Sequence, residues 1–311
     1  MRYVITGGCG FIGSHVVQLL KSKGKKVAII DKITNRDLID QKALLQNVQH
    51  FYMDISDPEL MEKALLPDDI VIHLAAQSHV DVSFKNPVQT TVSNVVGVHS
   101  LMAACVKRGV KKIVIMSTDE VYGSTEQIVD VNLLNPANPY SASKAAADMI
   151  VTAYKTMHPE ITIITLRSNN IAGPGQFINN IIPRFSVLGL LKKKFTLHGD
   201  GSAMRRYLWV KDAAEAIWLL AEKATKSQIY HIGHEDKFSN LEIAEKIGKY
   251  LGLKDYISFE KDRLINDTIY PADSLDMLRD FQWQPTRNLD DFLPETIDWY
   301  REHLDHFRHL V

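Results

Sequence analysis

Arg2-Tyr3-Val4-Ile5-Thr6-Gly7-Gly8-Cys9-Gly10-Phe11-Ile12-Gly13 opens the chain, and how this stretch is read decides the fold. Tyr3 to Thr6 reads as a short buried strand, and Ile12 to Ser22 as an amphipathic helix. The glycines between them satisfy G-x-x-G-x-x-G from Gly7 and G-x-G-x-x-G from Gly8. Such a turn lets the backbone bend tightly and approach a pyrophosphate, whose charge meets the helix N-terminus. A tight turn that binds nothing is the competing reading. The strand before, the helix after and an acid, Asp31, at the end of the second strand favour a dinucleotide. A carboxylate there accepts hydrogen bonds from ribose hydroxyls and repels a 2′-phosphate, which selects NAD over NADP. Lys32, next in the chain, carries the opposing charge.

Working outward, Lys26 to Ile30, Gln49 to Met53, Ile70 to Ala75, Ile113 to Ser117 and Ile161 to Leu166 read as further strands. Helical patterns lie between several of them, including Ser93 to Arg108 and Tyr140 to Met157. Strands alternating with helices predict an α/β fold with a doubly wound parallel sheet. After Arg167 the rhythm breaks into the turn-rich Ser168-Asn169-Asn170-Ile171-Ala172-Gly173-Pro174-Gly175-Gln176. Strands at Leu208 to Val210 and Ile229 to Ile232 then flank a helix at Ala213 to Ala221. The expected division is a dinucleotide-binding Rossmann domain over 1–167, with 206–232 returning to it. A smaller C-terminal α/β unit takes 168–205 and 233–311 and binds the substrate.

Composition narrows the class. A formal net charge of −1 gives no basic surface for nucleic acid or anionic membrane. Cys9 and Cys105 are too few for a disulfide framework and fit a reducing compartment. The strand pattern starting at Arg2 leaves no room for a signal peptide, and no apolar run approaches the roughly 20 residues that span a bilayer. The expectation is a cytoplasmic protein with no nucleic-acid or membrane partner.

Chemistry concentrates in Ser117-Thr118-Asp119-Glu120-Val121-Tyr122-Gly123 and in Tyr140-Ser141-Ala142-Ser143-Lys144. The first follows an apolar strand, and ligands bind past the carboxyl ends of strands in an open parallel sheet. Side chains of adjacent strand residues diverge, so Asp119 and Glu120 share a site only where the strand yields to a loop. Asn138-Pro139 reads as a helix cap with proline in the first turn. Tyr140 and Lys144, four apart, then lie on one helical face. A nearby ammonium and a cationic nicotinamide lower a phenol from about 10 toward working pH, which would make Tyr140 a base for an alcohol proton.

With these residues in view the chain resembles the extended short-chain dehydrogenases and, within them, the nucleotide-sugar 4,6-dehydratases. The resemblance runs from Met1 to about Tyr270 and is carried by TGGCGFIGS at 6–14, HLAAQSHVDVSF at 73–84, STDEVYG at 117–123, NPYSASK at 138–144, SNNIAGPGQF at 168–177 and HGDGSAMRRYLWVKDAAEA at 198–216. The Thr-Asp-Glu triplet discriminates, because similar 4-epimerases lack the acid pair. The resemblance implies that Tyr140, helped by Lys144 and Thr118, takes the proton of the sugar 4-hydroxyl while hydride leaves C4 for NAD. Glu120 then removes the C5 proton, Asp119 protonates the departing 6-hydroxyl, and hydride returns to C6. It further implies cofactor contacts at Gly7, Gly10, Phe11, Ile12, Gly13, Asp31, Lys32, Asp54, Ile55, Leu74, Ala75, Ala76, Ser93, Ser117, Tyr140, Lys144 and Asn170. Substrate contacts are implied at Ser83, Thr118, Asn169, Arg184, Arg205, Arg263 and Asn266. Gln77 and Asn266 are more like UDP-glucose than bacterial dTDP-glucose dehydratases, so UDP-glucose is expected ahead of dTDP-glucose. The helices around Ser93 to Arg108 and Tyr140 to Met157 match those that pair subunits in similar proteins, which implies a homodimer.

Two other readings stay open: a 4-epimerase or decarboxylase on the same fold, and a non-catalytic NAD-binding regulator. His303, His306 and His309 read as a solvated helix face, since no acid or cysteine set completes a ligand shell. No metal is expected.

Overall fold

The computed structural model of the chain describes residues 1–33, 44–125, 127–128, 130–261 and 274–311. Seven strands build the main sheet: β1 (Arg2–Thr6), β2 (Lys26–Asp31), β3 (Gln49–Tyr52), β4 (Asp69–His73), β5 (Lys112–Met116), β6 (Thr162–Ser168) and β10 (Ile229–Ile232). Their order is β10-β6-β5-β4-β1-β2-β3, with every neighbouring pair parallel. The order reverses at β1, which has β2 on one side and β4 on the other. Such a reversal opens a crevice beyond the strand ends.

Alternation along each strand feeds two cores. Tyr3, Ile5, Ile29, Ile72 and Val114 share one with Val16 and Leu20 of helix Phe11–Ser22 and with Ala213 and Ile217 of helix Val210–Lys223. Val4, Ala28, Val71, Ile113 and Ile115 share the other with Met61, Leu101 and Val151. These last three lie on helices Pro58–Ala64, Gly97–Arg108 and Pro139–Met157. Both faces of the sheet are covered, which is why its central strands read as unbroken apolar runs.

Two small sheets complete the architecture. β7 (Asn170–Ala172) pairs in parallel with β9 (Met204–Trp209), and β11 (Lys237–Ser239) pairs antiparallel with β9. β8 (Phe195–His198) pairs in parallel with β12 (Ile257–Glu260). Helix Ile181–Leu190 packs against helices Asn240–Leu251 and Leu289–Glu302. β7 follows β6 with one residue, Asn169, between them, so its small sheet lies past the carboxyl end of the main sheet. The strand expected at Leu208 to Val210 begins earlier, at Met204, and lies in this small sheet; the chain rejoins the main sheet with helix Val210–Lys223 and β10.

The expected helix from Ser93 to Arg108 is interrupted. Val92–Val96 winds as a wider π turn before the α-helix resumes at Gly97. A Cβ at Gly97 would stand 2.6 Å from Ile55 Cδ1, so the turn lies hard against the strand-side loop. Wide turns of this kind re-aim side chains and cluster at functional sites. Among the described residues no helix is long and apolar enough to cross a membrane.

Candidate active site

A cavity of about 740 Å³ opens over the carboxyl ends of β1, β2, β4, β5 and β6. The glycine turn forms its floor. Gly7 sits at φ +69°, and a Cβ there would lie 2.7 Å from the backbone nitrogen of Ala75. At Gly13 a Cβ would lie 2.1 Å from the Gly7 carbonyl oxygen. Both positions therefore demand glycine, one for conformation and both for space. The absent side chains leave bare backbone facing the cavity, as a pyrophosphate requires.

Asp31 closes the turn. Its Oδ2 accepts from the Cys9 N–H at 2.9 Å and its Oδ1 from the Ile33 N–H at 2.8 Å. Lys32 Nζ reaches Asp54 Oδ2 at 2.8 Å, so an acid meets its charge beside the cavity. Burial, and then the Asp31 charge, push the Cys9 thiol up to about 12, which keeps it a small neutral packing group. Every residue expected to contact the cofactor, from Gly7 to Asn170, lines this cavity.

The other end carries the acid pair. Asp119–Tyr122 forms a short 3-10 turn just past β5, with the Thr118 hydroxyl capping it by accepting the Glu120 N–H at 3.2 Å. This turn is what lets the two adjacent acids share a site. Thr118, Glu120, Tyr140 and Lys144 line the cavity, whereas Asp119 stands behind Thr118 and Asn169 at 5% exposure. Asp119 accepts from Asn169 Nδ2 at 2.6 Å and from the Thr118 hydroxyl at 3.2 Å. Burial raises its carboxyl to about 8, with the Glu120 charge adding to the rise and the Asn169 bond opposing it. Burial therefore favours the protonated form of Asp119. Glu120 Oε2 takes a longer contact, 3.4 Å, from Asn138 Nδ2.

Tyr140 departs from the expectation. Its phenol is pushed well above 10 by burial and then by the charges of Glu120 and Asp119, with a hydrogen bond to Thr118 in opposition. Lys144 Nζ donates to the Met116 carbonyl at 2.7 Å. Burial lowers the Lys144 ammonium, and Asp148 holds it up. The helix does place the two side chains together: Asn138 caps it reciprocally with Ser141, and Pro139 occupies the first turn. Burial of the phenol is the main reason that the protein alone raises it rather than lowering it, and the Glu120 carboxylate adds to the rise.

The expected substrate contacts divide. Thr118 and Asn169 line the cavity. Ser83 is fully buried and donates to the Val80 carbonyl at 2.7 Å within its own short helix, away from the cavity lining. Arg184 is exposed on helix Ile181–Leu190, and half-buried Arg205 on β9 donates to the Met204 carbonyl at 2.7 Å; neither lines the cavity. Motif matching does not register these local hydrogen bonds of Ser83 and Arg205. Arg263 and Asn266 lie outside the described residues.

Other residues were not singled out from the sequence. Asn94, in the π turn, accepts from the Gln77 N–H at 2.7 Å, and its amide donates to the Gln77 carbonyl and to Ser143 Oγ, both at 2.9 Å. It pins the cavity loop to the Tyr140 helix. Asp148 accepts from Ser117 Oγ at 3.0 Å and pairs with Arg167 at 2.9 Å, both charges buried. An acid four residues beyond Lys144 was the available signal for Asp148. His79, Gln176, Phe177, Asn180 and Phe307 also line the cavity.

Comparison with known proteins agrees with this geometry. The family model described as GDP-mannose 4,6 dehydratase matches residues 4–296. A trifunctional UDP-glucose 4,6-dehydratase/UDP-4-keto-6-deoxy-D-glucose 3,5-epimerase/UDP-4-keto-L-rhamnose-reductase of Arabidopsis thaliana is 35% identical over 96% of this chain and 47% of its own length. The chain thus spans about half the length of that plant relative. A dTDP-D-glucose 4,6-dehydratase of Dictyostelium discoideum is 32% identical over 99% of this chain and 83% of its own. Among solved structures, a dTDP-glucose 4,6-dehydratase from Streptomyces venezuelae with NAD bound superposes with a TM-score of 0.90 at 32% identity, covering 97% of each chain. A doubly wound sheet whose glycine turn and Glu120 face one cavity, with Asp119 behind Thr118, is thereby placed among its relatives: the chain belongs to the GDP-mannose 4,6 dehydratase family.

Proposed function

We propose that this chain is an NAD-dependent nucleotide-sugar 4,6-dehydratase that converts UDP-glucose, or in second place dTDP-glucose, to the 4-keto-6-deoxy sugar nucleotide. The observation that carries the reading is Asp119. It is a buried acid whose surroundings favour its protonated form, beside Glu120 and against the Thr118 hydroxyl of a cavity that also holds the glycine turn. Oxidising and reducing an alcohol at one carbon needs no such acid. Expelling water from a neighbouring carbon does.

The residues fit NAD on this chain's own geometry. Backbone without Cβ atoms faces the cavity at Gly7 and Gly13, and Asp31 stands at the end of β2 to receive ribose hydroxyls. The chemistry supplied by bound NAD is hydride storage, out of C4 early and back to C6 late. Tyr140 takes the 4-hydroxyl proton, with the positive nicotinamide ring offsetting the burial and the Glu120 charge that raise the phenol. Glu120 takes the C5 proton, made acidic by the new ketone, and Asp119 gives its proton to the leaving 6-hydroxyl. Asn170 and Ser93 face the cofactor, and Asn169, Arg184, Arg205, Arg263 and Asn266 serve the sugar nucleotide. In this reading 1–167 with 206–232 holds the cofactor, and 168–205 with 233–311 holds the substrate. Val96 and Met149, exposed apolar side chains near or on the two candidate pairing helices, support a homodimer.

The test is incubation of purified protein and NAD with UDP-, dTDP- and GDP-linked hexoses without reductant. A product lighter by one water from UDP-glucose, with dTDP-glucose slower, is the expected outcome. No water loss from either glucose nucleotide would sink the proposal.

A further inference from the structure

We propose that Pro174 to Phe177 form a strap across the cofactor cavity, and that Tyr300 and Phe307 hold this strap so that the reduced cofactor stays bound until its hydride returns. The inference rests on the dehydratase reading above, in which hydride taken from C4 is given back to C6 within the same turnover.

That chemistry penalises early escape. Once hydride has left C4 for NAD and Tyr140 has taken the 4-hydroxyl proton, the sugar has lost two electrons and NADH holds them. If NADH departs at that stage, the sugar nucleotide stays oxidised at C4 and C6 is never reduced. Retention of the cofactor is therefore a separate demand on the site, beyond the groups that react.

The strap is tied at both ends to segments that line the cofactor cavity. His15, on the helix that the glycine turn opens, donates from Nε2 to the Pro174 carbonyl at 3.0 Å. At the other end the Phe177 ring packs on His79, centroids 5.0 Å apart, and His79 closes the cavity-lining run that begins at Leu74. Gly175, Gln176 and Phe177 line the cavity between these ties. Gln176 carries a further sign of a ligand. Its Nε2 donates to the Ile171 carbonyl at 2.8 Å, which fixes the orientation of the amide. Its Oε1 is buried and has no hydrogen-bond partner among the described residues. Such an acceptor calls for a donor from a ligand, and the ribose hydroxyls and carboxamide of the cofactor carry donors.

The C-terminal helices hold the strap from behind. Tyr300, fully buried on helix Leu289–Glu302, donates a hydrogen bond from its hydroxyl to the Gln176 carbonyl. Phe307, on the short helix Leu304–Phe307, packs against the Tyr300 ring at 5.2 Å and itself reaches the cavity lining. With Ile178 and Val187 the two form an apolar cluster separate from both sheet cores. The support of the strap thus comes from a part of the molecule that carries neither the glycine turn nor Glu120 and Tyr140. Tyr300 and Phe307 act on the cofactor through the strap, as positioning residues.

The test measures cofactor release beside turnover. NAD release is followed by recovery of protein fluorescence when NAD-loaded protein is diluted. Free NADH is measured in filtrates during turnover of whichever of UDP-glucose or dTDP-glucose the unaltered chain converts. Tyr300→Phe removes the hydrogen bond and keeps the ring. Phe307→Ala removes the backing, and Phe307→Leu replaces it if alanine disturbs folding. The strap predicts NAD release faster by about tenfold in these variants, the worth of one lost hydrogen bond or a similar contact. Free NADH per dehydrated product should rise with it, each escaped NADH matched by one sugar nucleotide left oxidised at C4 and unreduced at C6. Release within about twofold of the unaltered chain, or no rise in free NADH, would overturn the strap whatever the turnover rate does, and would leave the dehydratase reading intact. Absence of water loss by the unaltered chain would instead overturn the reading on which the strap rests.

Discussion

Asn169 donates from Nδ2 to Asp119 Oδ2 at 2.6 Å, joining residues 50 apart in the chain. They meet because β5 and β6 run side by side in register, Met116 opposite Leu166, and each residue lies just past its strand's end. Gly233 leaves the room: a Cβ there would stand 2.0 Å from Asn169 Oδ1. The bond stabilises the ionised form of a buried acid that its surroundings otherwise hold neutral.

Replacing Asn169 by Ala should therefore raise the Asp119 pKa further. The expected signature is an alkaline limb of kcat displaced to higher pH, with a lower plateau because the carboxyl loses its orientation. Leaving a buried acceptor unpaired should also cost about 1–3 kcal/mol of stability. An alkaline limb that stays in place, or moves down, would count against Asn169 as the group that tunes Asp119.

The same displacement makes a stability prediction with a definite sign. Asp119 rises from 3.8 to about 8, so between those values the folded chain holds a proton that the unfolded chain has released. Stability then falls as pH climbs from about 4 toward about 8. Asp119→Asn abolishes this slope. It should be more stable than the original near pH 8, by about 5 kcal/mol at roughly 1.4 kcal/mol per pH unit across that window, and converge with it near pH 4. Turnover should drop about 10²–10⁴-fold at the same time. Urea titrations at the two pH values, beside rate measurements, check both arms.

Gly13→Val tests the cofactor turn. With a Cβ placed 2.1 Å from the Gly7 carbonyl oxygen, the turn must open. NAD binding, followed by quenching of protein fluorescence, should be lost or weakened at least about tenfold, the effect of roughly 1.4 kcal/mol. Unchanged binding would mean that the turn does not hold the cofactor.

Much of this molecule was legible in residue order. The seven-stranded sheet follows from apolar runs alternating with helical patterns, because strands covered on both faces cannot afford polar positions. The glycine turn was legible because Gly7 and Gly13 meet steric demands that other residues fail. What stayed hidden depends on contacts between distant segments. Asn94 looks like any polar residue in a helix until the π turn aims it at Gln77 and Ser143. Ser83 and Arg205 match a motif, but residue order does not show that Ser83 donates to the Val80 carbonyl or Arg205 to the Met204 carbonyl. Tyr140 reads as an activated phenol from Lys144 and a nearby nicotinamide; the fold adds burial and the charge of Glu120, which act the other way.

The buried pair Arg167–Asp148 offers a test of the scaffold behind Ser117. Asp148→Ala strands a guanidinium at 2% side-chain exposure and should cost about 3–5 kcal/mol in a denaturant titration. Asp148→Asn, which retains an acceptor for Ser117 and Arg167, should cost less. Equal losses would show that the charge is irrelevant to the site's support.

The central claim, that Asp119 and Glu120 serve water loss with hydride carried from C4 to C6, is tested most directly by isotope position. UDP-glucose or dTDP-glucose bearing deuterium at C4 is incubated with the NAD-loaded protein, and the product is read by NMR and mass. The account predicts a 4-keto-6-deoxy sugar nucleotide, one water lighter, with the deuterium in its C6 methyl group. Deuterium retained at C4 in an epimerised sugar of unchanged composition would contradict it.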